Sequence, residues 1–381
     1  MSTIRRLVLS TFRNYNALDL AVNAPMVALV GENGAGKTNI LEALSLLSPG
    51  RGLRRADFNE IAQQNNANAE GPGAFTVYVE MDGAAGPVQL GAGFDPSLES
   101  GRRCRINREP VQSASAFADH CRVLWLTPDN DGLFRGSAGD RRRFLDRLVL
   151  AVDSGHGTRV NALDKALRSR NRLLDEAKPD GQWLDAIERE VAETAMAVAA
   201  ARRETVSRLA ALISAEHDSK SPFPFAVLAL EGDLEQALQN STALAAEEWY
   251  RRTLKDNRWR DQAAGRTLIG PNTTDLIVRH GEKNMPADVS STGEQKALLI
   301  GLMLAHAQLV RQMSGIAPLV LLDEVAAHLD ARRRTALYER LSALGGQVWM
   351  TGTDAALFEA MPAQSVLFQV KAGRVAEPAV F

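Results

Sequence analysis

Met26-Val27-Ala28-Leu29-Val30-Gly31-Glu32-Asn33-Gly34-Ala35-Gly36-Lys37-Thr38 is the stretch on which the fold turns. Five apolar residues run into a glycine loop that satisfies GxxxxGK[ST] in full, from Gly31 to Thr38. Ile40, Leu41, Leu44 and Leu47 then recur at helical spacing. Strand, glycine loop and helix, in that order, form a phosphate cradle. The glycines let successive backbone N–H groups turn inward around an anion. The helix start adds the positive end of its dipole. Lys37 supplies a point charge for the outer phosphates, and Thr38 a hydroxyl for Mg²⁺. Glu32, Asn33 and Ala35 complete the backbone of the loop.

A cradle of this kind needs a carboxylate partner. Pro318-Leu319-Val320-Leu321-Leu322-Asp323-Glu324 provides one, an apolar strand ending in two acids. An acid at the tip of a buried strand faces the ligand crevice of a parallel sheet. Asp323 is the candidate for holding Mg²⁺. Glu324 is the candidate for taking a proton from an attacking water. Ahead of this strand, Ser290-Ser291-Thr292-Gly293-Glu294-Gln295-Lys296 opens a helix. Ser291 offers a hydroxyl, and Gly293 a bare backbone beside Glu294, at a helix N-terminus. That is a second phosphate-binding surface. Ser291 lies 32 residues before Asp323, room for one helix and one strand. Ala327-His328-Leu329-Asp330 follows the acid pair directly.

Further out, the pattern predicts an α/β fold with an insertion. Ile4–Leu9, Leu18–Val22, Phe75–Met81, Val88–Phe94 and Val123–Leu126 read as strands. The middle is helical. Trp183, Leu184, Ile187, Val191, Val198, Val206, Leu209 and Ile213 share one face over about 50 Å of helix. Lys178-Pro179-Asp180-Gly181 marks a turn before it. Leu319–Leu322 and Val348–Thr351 are the last core strands, with Leu276–Val278 a shorter one. The expected division is 1–135 and 263–381 for the two parts of the nucleotide-binding domain, and 136–262 for a helical lobe containing a helix hairpin.

With 45% hydrophobic and 24% charged residues the chain can bury an ordinary globular core. No run of about 18 apolar residues is present, so no membrane-spanning helix is expected. The first ten residues do not read as a signal peptide. The expected compartment is the cytoplasm, with Cys104 and Cys121 as free thiols. A formal net charge of −2 points to no particular partner, although 36 of the 44 basic residues are arginine. Two arginine clusters are candidates for backbone phosphates of DNA: Arg51, Arg54 and Arg55, and Arg102, Arg103, Arg105 and Arg108. For each, a solvated loop is the equal alternative.

Taken together, Gly31–Thr38, Ser291–Gln295, Leu319–Glu324 and Ala327–Asp330 resemble, in order, the Walker A, signature, Walker B and D-loop motifs of ABC-type ATPases. About 250 residues separate the first two here, more than in transporter subunits and without the long coiled coil of SMC proteins. Over its whole length the chain is similar to the RecF family of bacterial recombination mediators. The resemblance is carried by Leu9–Tyr15, Gly50–Arg55, Leu126–Asp129, Arg141–Asp146, Arg170–Leu174 and Ser290–Lys296. It implies a mixed sheet with an antiparallel N-terminal part and an inserted helical lobe. It also implies binding of ATP and Mg²⁺, and an ATP-dependent homodimer in which the signature meets the partner's ATP. Single-stranded, duplex or gapped DNA and the RecO and RecR mediators are the implied partners. The implied roles are replication, gap repair and the SOS response.

Three departures stand out. Gly270-Pro271-Asn272-Thr273-Thr274-Asp275 replaces a loop that is basic in the family. Thr351-Gly352-Thr353-Asp354 stands where transporters carry a switch histidine. The transporter glutamine loop has only Asp129 as a positional counterpart. Slow, DNA-stimulated hydrolysis is the expectation. The rival readings are a nucleotide-gated partner-binding module with little DNA contact, and a transporter ATPase subunit.

Overall fold

The computed structural model describes residues 2–62, 73–97, 101–218, 220–376 and 379–380. They form two compact units: Met1–Asp131 with Asp218–Pro224 and Thr292–Phe381, and Gly132–His217 with Phe225–Ser291.

The first unit holds two sheets. In one, the strands Val366–Lys371, Met26–Val30, Val348–Gly352, Leu319–Leu322 and Val123–Leu126 lie side by side and parallel. Short antiparallel strands pair with Val366–Lys371 at the edge. Every residue of Met26–Val30, Leu319–Leu322 and Val123–Leu126 is buried. That is why these strands appear in the sequence as unbroken apolar runs, since a parallel sheet is covered on both faces. The other sheet is antiparallel, built from Thr3–Phe12, Tyr15–Ala21, Phe75–Gly83, Gly86–Phe94, Arg103–Ile106 and Glu109–Val111. Two of its long strands, Phe75–Gly83 and Gly86–Phe94, bury every second residue.

One core serves both sheets, with Leu7, Phe12, Val27, Leu29, Phe75, Leu321 and Trp349 in a single cluster. Gln347 stitches them together. Its amide donates to Ile4 O at 3.1 Å and Ala24 O at 2.9 Å. Its Oε1 accepts from Ile4 N and from Trp349 Nε1, both at 3.0 Å. All four bonding positions of a buried amide are thereby filled.

The second unit is mainly helical. Ala138–Val152, His156–Leu174 and the 35-residue helix Gly181–Ala215 are its long elements. Asp233–Asn240, Ala243–Asp256 and Arg258–Ala264 pack with them. Arg170 is fully buried at the centre. It donates to Glu188 at 3.0 Å, Asp261 at 2.7 Å, Thr267 at 2.8 Å and Leu254 O at 2.7 Å. A buried guanidinium persists only when its forks are satisfied in this way.

The unit extends beyond the helical stretch expected at 136–262. Asp275–His280 pairs antiparallel with Ala226–Glu231, a strand not anticipated from the sequence. With Met285–Pro286 they make a small sheet. This pairing carries residues up to Ser291 into the second unit, where the expected division gave them to the nucleotide-binding part.

Candidate nucleotide site

The parallel strands deliver three groups to their carboxyl ends, where α/β sheets bind ligands. Met26–Val30 leads into the glycine loop, Leu319–Leu322 into Asp323 and Glu324, and Val348–Gly352 carries Thr351. Gly34 and Gly36 adopt φ of 80° and 115°, conformations that favour glycine. Behind the loop, Asn14 Nδ2 donates to Ala35 O at 3.0 Å and Tyr15 OH to Gly36 O at 3.1 Å. A Cβ on Gly36 would stand 2.8 Å from that hydroxyl, and one on Gly31 would stand 2.1 Å from Val370 O. The loop is therefore clamped from behind and tolerates only glycine at both points.

Lys37 opens the helix Lys37–Ser45 and is buried. Its ammonium donates to Gly31 O at 2.7 Å and Glu32 O at 2.9 Å. Burial pushes its pKa down, and Glu324 and Asp323 pull the other way. Among the described residues it makes no ion pair. A buried ammonium held by carbonyls inside a ring of backbone donors fits a polyphosphate.

Asp323 is buried beside it. Its Oδ1 accepts the hydroxyls of Thr38 and Thr351, each at 2.8 Å. The Thr351 oxygen in turn accepts the Glu324 N–H at 2.9 Å. Thr38 and Asp323, the expected metal pair, are thus joined directly. Oxygen donors of this type suit Mg²⁺. Glu324 sits at φ 54°, a left-handed conformation that costs about 1–2 kcal/mol in a non-glycine residue. Strain of that kind concentrates at functional positions.

Asp129 lies exposed on the turn Pro128–Asn130. Asp131 is the acid that lines the crevice with Thr127, Lys296, Asp323 and Glu324, and it pairs with Lys296 at 2.7 Å. Asp129, the expected positional counterpart of the glutamine loop, is not among the residues that line this crevice. Thr353 is exposed, whereas Thr351 is buried and bonded. Asn14, Tyr15, Asp131 and Lys296 were not singled out individually from sequence. Each acts through a partner distant in sequence, the glycine-loop carbonyls for Asn14 and Tyr15 and each other for Asp131 and Lys296.

The helix Thr292–Ser314 begins directly after Ser291. Ser291 and Gly293 are exposed, Glu294 is half-buried and Gln295 is buried. A Cβ on Gly293 would meet nothing within 4 Å.

The arginine clusters separate into different roles. Arg102 donates to Leu46 O at 2.9 Å and Ser48 O at 3.0 Å, and lies over the Phe58 ring. It ties the end of the glycine-loop helix to the antiparallel sheet. Arg54 donates to Asn39 and to the buried Glu42, and Arg51 pairs with Asp57. Arg55 is exposed at φ 56°. Arg103 and Arg105 are exposed on the strand Arg103–Ile106, with Cys104 buried between them. Arg108 is exposed at the tight turn that follows, where Asn107 and Arg108 both have positive φ.

The model of the RecF/RecN/SMC N terminal domain family matches residues 3–376. The chain is 53% identical over 374 residues to the DNA replication and repair protein RecF of Brucella abortus (strain 2308), covering 98% of this chain and 96% of that one. The chain belongs to the RecF family. A second RecF, from Agrobacterium fabrum (strain C58 / ATCC 33970), is 51% identical, with 98% of each chain covered. Among solved structures, the recombination mediator protein RecF-ATPrS in the RecFOR pathway matches with a TM-score of 0.85 at 20% identity, covering 98% of this chain and 97% of that one. An SMC head bound to the C-terminal winged-helix domain of ScpA matches at 0.56 and 14%, covering 100% and 98%. At those identities the likeness shows the fold, which the chain shares with RecF and SMC heads.

Proposed function

We propose that this chain is an ATP-controlled switch of DNA replication and recombinational repair, which binds DNA and hydrolyses ATP slowly. The observation that carries this reading is the joint Thr38–Asp323–Thr351 hydrogen bonding at the carboxyl ends of three strands. Backbone donors of Gly31–Thr38 hold the outer phosphates, and Lys37 balances their charge. Thr38 and Asp323 hold Mg²⁺, which when bound neutralises charge on the phosphate oxygens. Glu324 accepts the proton of the attacking water. Ser291 and Gly293 contact the γ-phosphate of a second copy, so that ATP joins two chains and ADP does not. Membership of the RecF family supports action with RecO- and RecR-type partners at gapped DNA, and a cytoplasmic setting. Among the described residues no helix is long and apolar enough to cross a membrane.

The test is calorimetric titration with ATP and Mg²⁺. Lys37→Ala removes one charge-assisted contact of about 1.5–3 kcal/mol, so affinity is expected to fall roughly 10- to 150-fold. Parent-like affinity in the variant would remove the assignment of the cradle.

A further inference from the structure

Three consecutive arginines open the helix Ala138–Val152, and they behave differently. Arg141 pairs with Asp275 at 2.6 Å, and Arg143 pairs with Asp140. Arg142, between them, makes no ion pair among the described residues. It donates one N–H to Thr274 O at 2.9 Å. Holding one carbonyl needs one donor, and a guanidinium has five. Burial first, and then the neighbouring charge of Arg202, push its pKa down, although Asp275 and Asp146 pull the other way. The second unit therefore keeps a half-buried guanidinium that makes no direct ion pair among the described residues, with Asp275 and Asp146 as its nearby acids.

Arg142 lines an open cavity of about 370 Å³ within the second unit, together with Asn171, Arg266, Thr267, Asn272 and Thr273. No carboxylate lines it. Arg266 is exposed at its rim and has no ion pair among the described residues. A relay fixes the polarity of the wall. Arg170 donates to Thr267 Oγ1, and that hydroxyl donates to Asn171 Oδ1 at 2.8 Å. The amide oxygen of Asn171 is thus engaged, and its Nδ2 remains as a donor. Asn272 is turned the other way. Its Nδ2 donates to Thr267 O at 2.8 Å, while its Oδ1 is buried without a partner. The cavity accordingly presents two guanidinium groups and an amide donor beside the threonine hydroxyls, plus a buried amide oxygen that lacks a donor partner.

We infer that this cavity is a second phosphate site, which takes a nucleotide unit: phosphate on Arg142, Arg266 and Asn171, and a sugar hydroxyl or base N–H on Asn272 Oδ1. Forked arginine contacts are the preferred partners of phosphate. The unit has two sources, a nucleic-acid strand or a free nucleotide. The site is separate from the Lys37 cradle, and neither reading depends on the other.

The experiment uses full-length protein saturated with ADP, so that binding at the Lys37 cradle is held constant. One arm titrates a short labelled single strand of mixed sequence, and the other titrates adenosine 5′-monophosphate, with adenosine as the phosphate-free control. Arg142→Gln and Arg266→Glu are each expected to weaken the true ligand roughly 10-fold or more, while adenosine fails to bind the parent. If the strand is the ligand, the salt slope should also fall by about 0.7 for the one phosphate lost. Loss in the strand arm identifies nucleic acid, and loss in the monophosphate arm identifies a free nucleotide. Arg266 is exposed, so Arg266→Glu keeps the fold and decides the matter if Arg142→Gln does not. Parent-like binding of both probes by Arg266→Glu overturns the site.

Discussion

The Thr351 hydroxyl donates to Asp323 Oδ1 at 2.8 Å, from a neighbouring strand and 28 residues away in sequence. The same oxygen accepts the Glu324 N–H. One side chain thus orients the acid proposed for Mg²⁺ and anchors the backbone of the acid proposed as base. Thr351→Val keeps the shape and loses the hydroxyl. About 1 kcal/mol of stability is expected to go with it. ATP turnover should fall about 10-fold, the effect of roughly 1.4 kcal/mol on the barrier. ATP affinity should stay within about threefold, since the cradle donors are untouched. Thr351→Ser should recover most of the turnover. Steady-state ATPase assays beside calorimetry separate the two effects. Equal losses in affinity and turnover would make Thr351 a purely structural residue.

Much of the site was legible because parallel strands are covered on both faces. Leu319–Leu322 and Met26–Val30 could bury themselves only as continuous apolar runs, and the loops at their ends carry motif residues. What stayed hidden depended on partners distant in sequence. Ala226–Glu231 is apolar at five of six positions but buried only at the first, so neither alternation nor a buried run marked it as a strand. Asp131 lines the crevice and Asp129 does not, since the short turn Pro128–Asn130 leaves Asp129 exposed. Arg102 could have been told from Arg103 and Arg105 had the strand been recognised. Period two places it with the inward Cys104 rather than with its exposed neighbours.

That distinction reassigns the arginines. Arg105→Gln with Arg108→Gln should weaken binding to all DNA sequences alike and lower the salt slope on duplex DNA by about 1.8, at about 0.9 per phosphate contact. Arg102→Gln should leave the slope unchanged. It should instead cost about 2 kcal/mol of stability through its two lost carbonyl contacts. Fluorescence anisotropy across a salt series, with thermal melts of the same samples, checks both. A slope altered by Arg102→Gln with an unaltered melt would put Arg102 back among the DNA contacts.

In the second unit, Asp146 accepts from His156 at 2.8 Å and from Arg202 at 2.8 and 2.9 Å. Burial alone would raise its pKa. The hydrogen bonds from His156 and Arg202, with their charge, outweigh that and hold the carboxyl below its ordinary value of 3.8. As pH falls, the unfolded chain therefore takes up this proton before the folded one does. The stabilisation is complete above the ordinary value and drains away below it. Asp146→Asn should lower stability at neutral pH by about 2 kcal/mol. The gap to the parent should narrow as pH drops through 3.8. Urea unfolding at several pH values measures the gap. A difference that stays constant across that range would mean that the carboxylate charge is not what the aspartate contributes.

The signature segment leads to the last prediction. Lys37, Thr38, Asp323 and Glu324 make up the nucleotide position proposed above, and Ser291 and Gly293 stand exposed at the head of the helix Thr292–Ser314. A helix N-terminus with an accessible backbone is suited to an anion. The γ-phosphate of ATP bound to a second copy is the anion that would make nucleotide state control assembly. A ligand shifts an equilibrium only through differential affinity for its two sides, and ADP has no γ-phosphate to bridge with. The chain should therefore be monomeric without nucleotide or with ADP. With ATP it should be a two-fold dimer holding two nucleotides. Ser291→Arg places a long side chain where the phosphate must dock. ATP binding to the monomer should stay within about threefold of the parent, because the Gly31–Thr38 donors are unchanged. ATP-dependent dimerisation should be lost. Sedimentation velocity of parent and variant, with ATP and with ADP, reads both states directly. A parent that remains monomeric in saturating ATP, or a Ser291→Arg variant that still dimerises, would show that Ser291–Gln295 does not bridge the two copies.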